Sequence, residues 1–176
     1  RQSVEELLTW DWCGTALVIE HCDAYVKGQP PEKGFLSLDE EIDVCGSTGI
    51  GLTINWGRSC LEVRDPAAPE AHARKAAAAG VLTGLMFSGA SSQATEFGGV
   101  WADGHLPMWP DEPASLMNAE RIASCVQCAL ECPTLAYLGA KVCVPASDSL
   151  PARMDRLARI REASDLERFG VMGRAV

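Results

Sequence analysis

"ALVIEHCD", residues 16–23, runs through four apolar residues and then delivers an acid, a histidine, a thiol and a second acid. A short apolar run that ends in ionisable side chains reads as a buried strand with its chemistry at the C-terminal end. The form returns three times, in "GLTINWGRS" (51–59), "VLTGLMFSGAS" (81–91) and "LAYLGAKVCV" (135–144). Helical periodicity follows each strand, over 38–44, 68–79, about 114–130 and 150 to about 165. Punctuation agrees with these limits. Asp65-Pro66 and Pro69 open the Ala-rich helix and Gly80 closes it, Pro133 ends the third helix, and Pro151 falls in the first turn of the fourth.

Strands alternating with helices pair in parallel through right-handed crossovers, which gives an α/β layer or barrel. No strand is followed by the G-x-G-x-x-G turn of a dinucleotide site. The expected fold is therefore a (β/α) barrel of TIM type, here about four βα units forming one half-barrel across residues 1–176. A complete barrel has eight strands in typically about 250 residues. A lone half presents two open sheet edges, so it should meet a second half, from a homodimer partner or from a missing N-terminal segment. The chain begins at Arg1, not Met, and no strand precedes its opening helical stretch, which fits either a processed N-terminus or a piece of something longer.

Composition narrows the function classes. The net charge of −9, with Lys and Arg scattered among acids, disfavours nucleic acid. No apolar run approaches the roughly 18 residues of a membrane span, and no secretion signal opens the chain, so a cytoplasmic protein is expected. Eight cysteines in such a chain read as reduced thiols. "CVQCALECP" (125–133) resembles the end of a ferredoxin run. However, Cys125, Cys128 and Cys132 fall on the apolar stripe of a helical pattern with Leu116, Ile122 and Ala129, and Ile122 stands where another ligand would be needed. Core cysteines are the expectation, with an iron–sulfur or other metal role as the alternative.

Barrel active sites form at the C-terminal ends of the strands. There stand Glu20, His21 and Asp23, then Asn55, Trp56 and Arg58, then Ser88 and Ser91, and finally Lys141. Glu20 and Lys141 each interrupt an apolar strand, and a buried charge needs a partner, so both should face one cavity. His72, on the Ala-rich helix among charges, reads as solvated. The Gly- and Pro-rich stretch 89–113 carries Trp101, Asp103, His105 and Trp109 and is long enough for a lid over a small polar substrate.

The phrases "IEHCDA" (19–24), "PEKGFLSL" (31–38), "GLTINWGRS" (51–59), "GLMFSGAS" (84–91) and "WADGHLP" (101–107) resemble a bacterial family catalogued as a domain of unknown function, number 4862, and grouped with the xylose isomerase-like TIM barrels. The resemblance implies the C-terminal half of that barrel, strands five to eight. It implies kinship with sugar isomerases and epimerases that hold a divalent metal through Glu, Asp, His and Glu on those strands. Position by position, Glu20 matches the first Glu, Asn55 stands for Asp, Ser88 for His, and Lys141 for the second Glu, which argues against the usual metal. The implied activity is that of a sugar or sugar-phosphate isomerase or epimerase with a degraded metal site. In it Glu20, Lys141 and His105 would be catalytic, with the Lys141 ammonium replacing the metal's charge. Substrate contacts would come from His21, Asp23, Asn55, Trp56, Arg58, Ser88, Trp101 and Asp103. The alternative from another class is a non-catalytic sugar- or polyol-binding barrel.

Overall fold

The computed structural model describes residues 1–165. In chain order the elements are α1 (Gln2–Leu7), β1 (Val18–Glu20), α2 (Leu38–Thr48), β2 (Gly51–Asn55), α3 (Trp56–Val63), α4 (Ala68–Ala78), β3 (Leu82–Phe87), α5 (Ala119–Ala129), β4 (Tyr137–Ala140) and α6 (Leu150–Ala163). The four strands form one sheet in the order β1-β2-β3-β4, and every pairing is parallel. The α/β class and the parallel sheet expected from the alternation are present. The sheet is open, with β1 and β4 at its edges among the described residues.

A sequential strand order joined by crossovers of one hand places the connecting helices on one face of the sheet. The core shows that face. Leu52, Ile54, Leu82, Leu85 and Phe87 are buried with Cys60 and Leu61 of α3, Ala73 and Ala76 of α4, and Ile122 and Val126 of α5. Burying these side chains is the main favourable term holding helices to sheet, at roughly 25 cal/mol per Å² of apolar surface.

Side chains of opposite parity point the other way. Register aligns Glu20 with Thr53, Thr53 with Gly84 and Gly84 with Tyr137, while Asn55 aligns with Met86 and Met86 with Gly139. These residues share the face opposite the helices. Tyr137 reaches across that face to the Thr53 hydroxyl, and it can do so because Gly84 beneath it has no side chain: a Cβ there would strike the Tyr137 ring.

Several limits differ from the sequence pattern. Helix α2 runs on to Thr48 and stops at Gly49, whose φ of 79° suits glycine. Helix α5 starts only at Ala119, where the Asn118 side chain accepts the Arg121 N–H at 3.0 Å. Helix α3 has no counterpart in the expected pattern, whose helices are 38–44, 68–79, about 114–130 and 150 to about 165. Asn55, the last residue of β2, is also its N-cap, so strand passes into helix with no connecting residue.

Six of the eight cysteines are buried, and Cys13 and Cys143 are exposed. Cys125, Cys128 and Cys132 are buried with the helix-side apolar residues, and the Cys128 thiol donates to the Cys125 carbonyl at 3.1 Å. Burial pushes the Cys125 and Cys128 thiols upward, away from the thiolate form a metal needs. No helix among the described residues is long and apolar enough to cross a membrane.

Candidate functional site

At the C-terminal ends of β1 and β2 the Glu20 side chain reaches past its register partner Thr53 to Asn55, two residues further along the same face. Asn55 Nδ2 donates to Glu20 Oε1 at 2.7 Å, and Arg58 Nη1 donates to the same oxygen at 3.2 Å. The other face of the Asn55 amide is equally occupied: its Oδ1 accepts the Ser88 hydroxyl at 2.8 Å and the Arg58 backbone N–H at 3.2 Å. One asparagine therefore caps α3, fixes the Glu20 carboxylate and ties it to the end of β3. Among the described residues Glu20 Oε2 takes no hydrogen bond, and the side chain is about one-third exposed, at 32%.

Arg58, in the first turn of α3, faces two acids. Its Nε lies 3.3 Å from Asp103 Oδ2, which also accepts Lys33 Nζ at 2.7 Å. Asp103 is 8% exposed. Burial alone would raise its pKa, but Lys33, His105 and Arg58 together hold it below the ordinary value. Asp103 in turn raises Lys33 by hydrogen bonding, and Arg58 is raised by Asp103 against the effect of burial. Lys33 is carried here by Asp23, whose carboxylate accepts the Lys33 N–H at 3.0 Å and whose carbonyl accepts the Phe35 N–H at 2.9 Å.

The loop after β3 supplies Asp103 and His105. Trp101 packs against the core and its N–H donates to the Ser91 carbonyl at 3.0 Å. The positive φ of Trp101 and His105, 57° and 47°, turns the chain sharply on both sides of Asp103. His105 Nδ1 is 3.2 Å from Asp103 Oδ1, but it is not aligned for a hydrogen bond. Burial, then the positive charges of Lys141, Arg58 and Lys33, lower its pKa against the opposing effect of Asp103.

Of the residues expected at the site, Glu20, Asp23, Asn55, Arg58, Ser88, Asp103 and His105 thus join one network, and Lys33 is a member the sequence did not single out. Lys141 follows the end of β4. Its backbone N–H donates to Phe87 O at 2.9 Å, and its side chain is exposed. The cation that meets Glu20 is Arg58, not Lys141. Trp56 is 2% exposed in the helix-side core, so it has no surface to offer a ligand on the open face. The cleft of about 370 Å³ between β4 and α6, lined by Phe87, Leu157 and Ile160, holds none of the network.

His21 follows Glu20 and so points to the opposite side of the sheet, where it is fully buried. Its Nδ1 is 2.6 Å from Glu41 Oε2 of α2, and its Nε2 is 3.1 Å from Glu62 Oε2 of α3. Burial lowers its pKa, but Glu41 and Glu62 outweigh that and bring it to about 9. The expectation of a solvated His72 is corrected: its side chain is 14% exposed and its ring meets His21 edge-on, centroids 5.1 Å apart. Burial, and then the His21 charge, lower His72 to about 4. The reason is positional. His72 lies on the side of α4 that meets Glu62 of α3 and His21 after β1, although Glu70 and Arg74, two residues to either side, are charged.

A family model described as a domain of unknown function, DUF4862, matches residues 1–156. The chain belongs to the DUF4862 family. An uncharacterized protein of Salmonella typhimurium is 40% identical over 128 residues, which is 73% of this DUF4862 chain and 40% of the relative. The chain thus spans well under half the length of the relative it matches. No solved structure matches.

Proposed function

We propose that this DUF4862 chain is the C-terminal half of a barrel of the xylose isomerase-like type and that its open sheet face serves a sugar or sugar-phosphate isomerase or epimerase. What supports the half-barrel is the parallel order β1-β2-β3-β4 with polar residues on the uncovered face. The observation that carries the chemistry is the Glu20 carboxylate, pinned through Oε1 by Asn55 and Arg58 while Oε2 takes no hydrogen bond among the described residues. A held carboxylate with one unengaged oxygen suits a general base that takes a proton from carbon next to a carbonyl.

The divalent metal usual in that superfamily does not fit these residues. Glu20 Oε1 already accepts from Asn55 and Arg58, and Asn55 Oδ1 already accepts from Ser88 and the Arg58 N–H. In this reading the guanidinium of Arg58 supplies positive charge where an enediolate oxygen would develop. His105, its pKa lowered, would serve as the second acid or base, and Lys33 and Lys141 would draw an anionic substrate group to the rim.

The test is solvent exchange. A panel of aldoses, ketoses and their phosphates is incubated with the protein in D2O and followed by proton NMR. Loss of a substrate C–H signal, abolished in Glu20→Gln, is the expected result. The binder reading draws on the Arg58–Glu20 contact at 3.2 Å, which fixes the carboxylate in place as a hydrogen-bond acceptor. Saturable binding with no exchange would favour it and end the catalytic proposal.

A further inference from the structure

Behind β1, on the side away from Glu20, we propose that His21, Glu62 and His72 form a transition-metal site of the zinc type, with Glu41 orienting His21. One donor atom from each of the three lies within 4.8 Å of the others. Donors on a tetrahedral ion with bonds of about 2.0–2.1 Å stand roughly 3.3 Å apart, so small side-chain shifts would seat the ion. They come from β1's end, α3 and α4, three separately anchored elements.

Three independent features distinguish this cluster from a buried ion pair. First, His21 Nδ1 is bound to Glu41 Oε2 at 2.6 Å, the carboxylate–imidazole arrangement that orients metal-bound histidines and makes the far nitrogen more basic. Second, that far nitrogen, Nε2, is buried and makes no aligned hydrogen bond, although Glu62 Oε2 is 3.1 Å away. His72 turns its Nε2 toward the same carboxylate, 4.0 Å from Glu62 Oε1 and beyond hydrogen-bond reach. Nitrogen and carboxylate thus stand side by side without being aimed at one another, as ligands of a common third atom do. Third, the charges balance. With neutral histidines, Glu41 and Glu62 leave two buried negative charges, which one divalent cation cancels and one proton on His21 does not. The Ala24 N–H, 2.9 Å from Glu62 Oε2, holds that carboxylate in place. Two imidazoles and a carboxylate favour zinc, cobalt or nickel over magnesium or calcium, and a fourth position remains for water or exchangeable solvent.

The experiment uses the untagged full chain, stripped with chelator and titrated with Zn2+ by calorimetry, with Co2+ as spectroscopic probe. About one ion per chain is expected, with cobalt bands of nitrogen and oxygen ligation and no thiolate charge-transfer band. His72→Gln, at a partly exposed helix position, should weaken binding by about tenfold or more, and Glu41→Gln by roughly 10–100-fold as the loss of an orienting partner. Cys125→Ser and Cys128→Ser should leave it unchanged. A readout that needs no variant is the proton NMR spectrum of the Co2+ form, in which the rings of His21 and His72 should be strongly shifted and that of His105 should not. Absence of a bound ion, a thiolate band, or unshifted His21 and His72 rings would overturn the site.

Discussion

Arg58 is the residue on which the open-face network turns, because its guanidinium is the contact shared by Glu20 and Asp103. Arg58→Met would leave Asp103 with Lys33 and His105 and leave Glu20 with Asn55. The cost should fall near the lower end of the roughly 3–5 kcal/mol seen when one partner of a fully buried pair is removed, since both acids keep a partner. Urea denaturation at neutral pH measures it; an unchanged midpoint would show that the ion pairs contribute nothing. Acid adds a signed test. Asp103 is held below its ordinary pKa, so its contribution is present above about 4 and is lost as pH falls through its folded value. His105 is also lowered, so charging it as pH drops below about 6.5 works against the folded state. Both slopes have one sign, with stability falling toward acid. Asp103→Asn should flatten the lower part of the urea midpoint profile and His105→Gln the upper part.

Helix α2 supplies Glu41 from behind the sheet, and its start is set by a capping box. The Ser37 hydroxyl accepts the Glu40 N–H while Glu40 Oε2 accepts the Ser37 N–H at 2.8 Å. Ser37→Ala should cost about 1 kcal/mol in global stability by denaturant titration, and no measurable loss would mean that α2 is held by packing alone. The elements also show what was legible in sequence. The four strands announced themselves because short apolar runs, each ended by polar residues, alternate with helical patterns along the chain. Helix α3 was hidden because "NWGRSCLEV" begins with polar residues that look like the end of a strand. Its signals, Asn55 as cap and Trp56, Cys60 and Leu61 at helical spacing, begin at the strand's own last residue. The chemical consequence is in the pairing: interruption of an apolar strand points from Glu20 to Lys141, whereas the first turn of α3 brings the Arg58 guanidinium to the carboxylate. The His21 and His72 rings meet only through crossovers that place β1, α3 and α4 together. No spacing along the chain encodes that.

On the scale of the whole molecule, the sheet is covered on one face and open at both edges among the described residues. Glu20 on β1 and Tyr137 on β4 lie on the uncovered face, and Val18, Tyr137 and Leu138 are between about one-third and two-fifths exposed. Unpaired edges of a parallel sheet are templates for another strand, and parallel sheets are almost always covered on both sides. If the barrel proposal holds, another four-stranded unit should close on this face, from the rest of a longer chain or from a second copy. The isolated chain should then run on light scattering at about twice its own mass, and Val18→Lys, which sets a charge on an edge strand, should shift it toward monomer. Joining the chain to the remaining length of a full DUF4862 relative should remove the dimer, because the missing strands would come from within. A monomer that unfolds in one cooperative transition and binds no hydrophobic dye would show that the open face is satisfied by solvent. The half-barrel, and with it the assignment of Glu20 to an enclosed site, would then have to be abandoned.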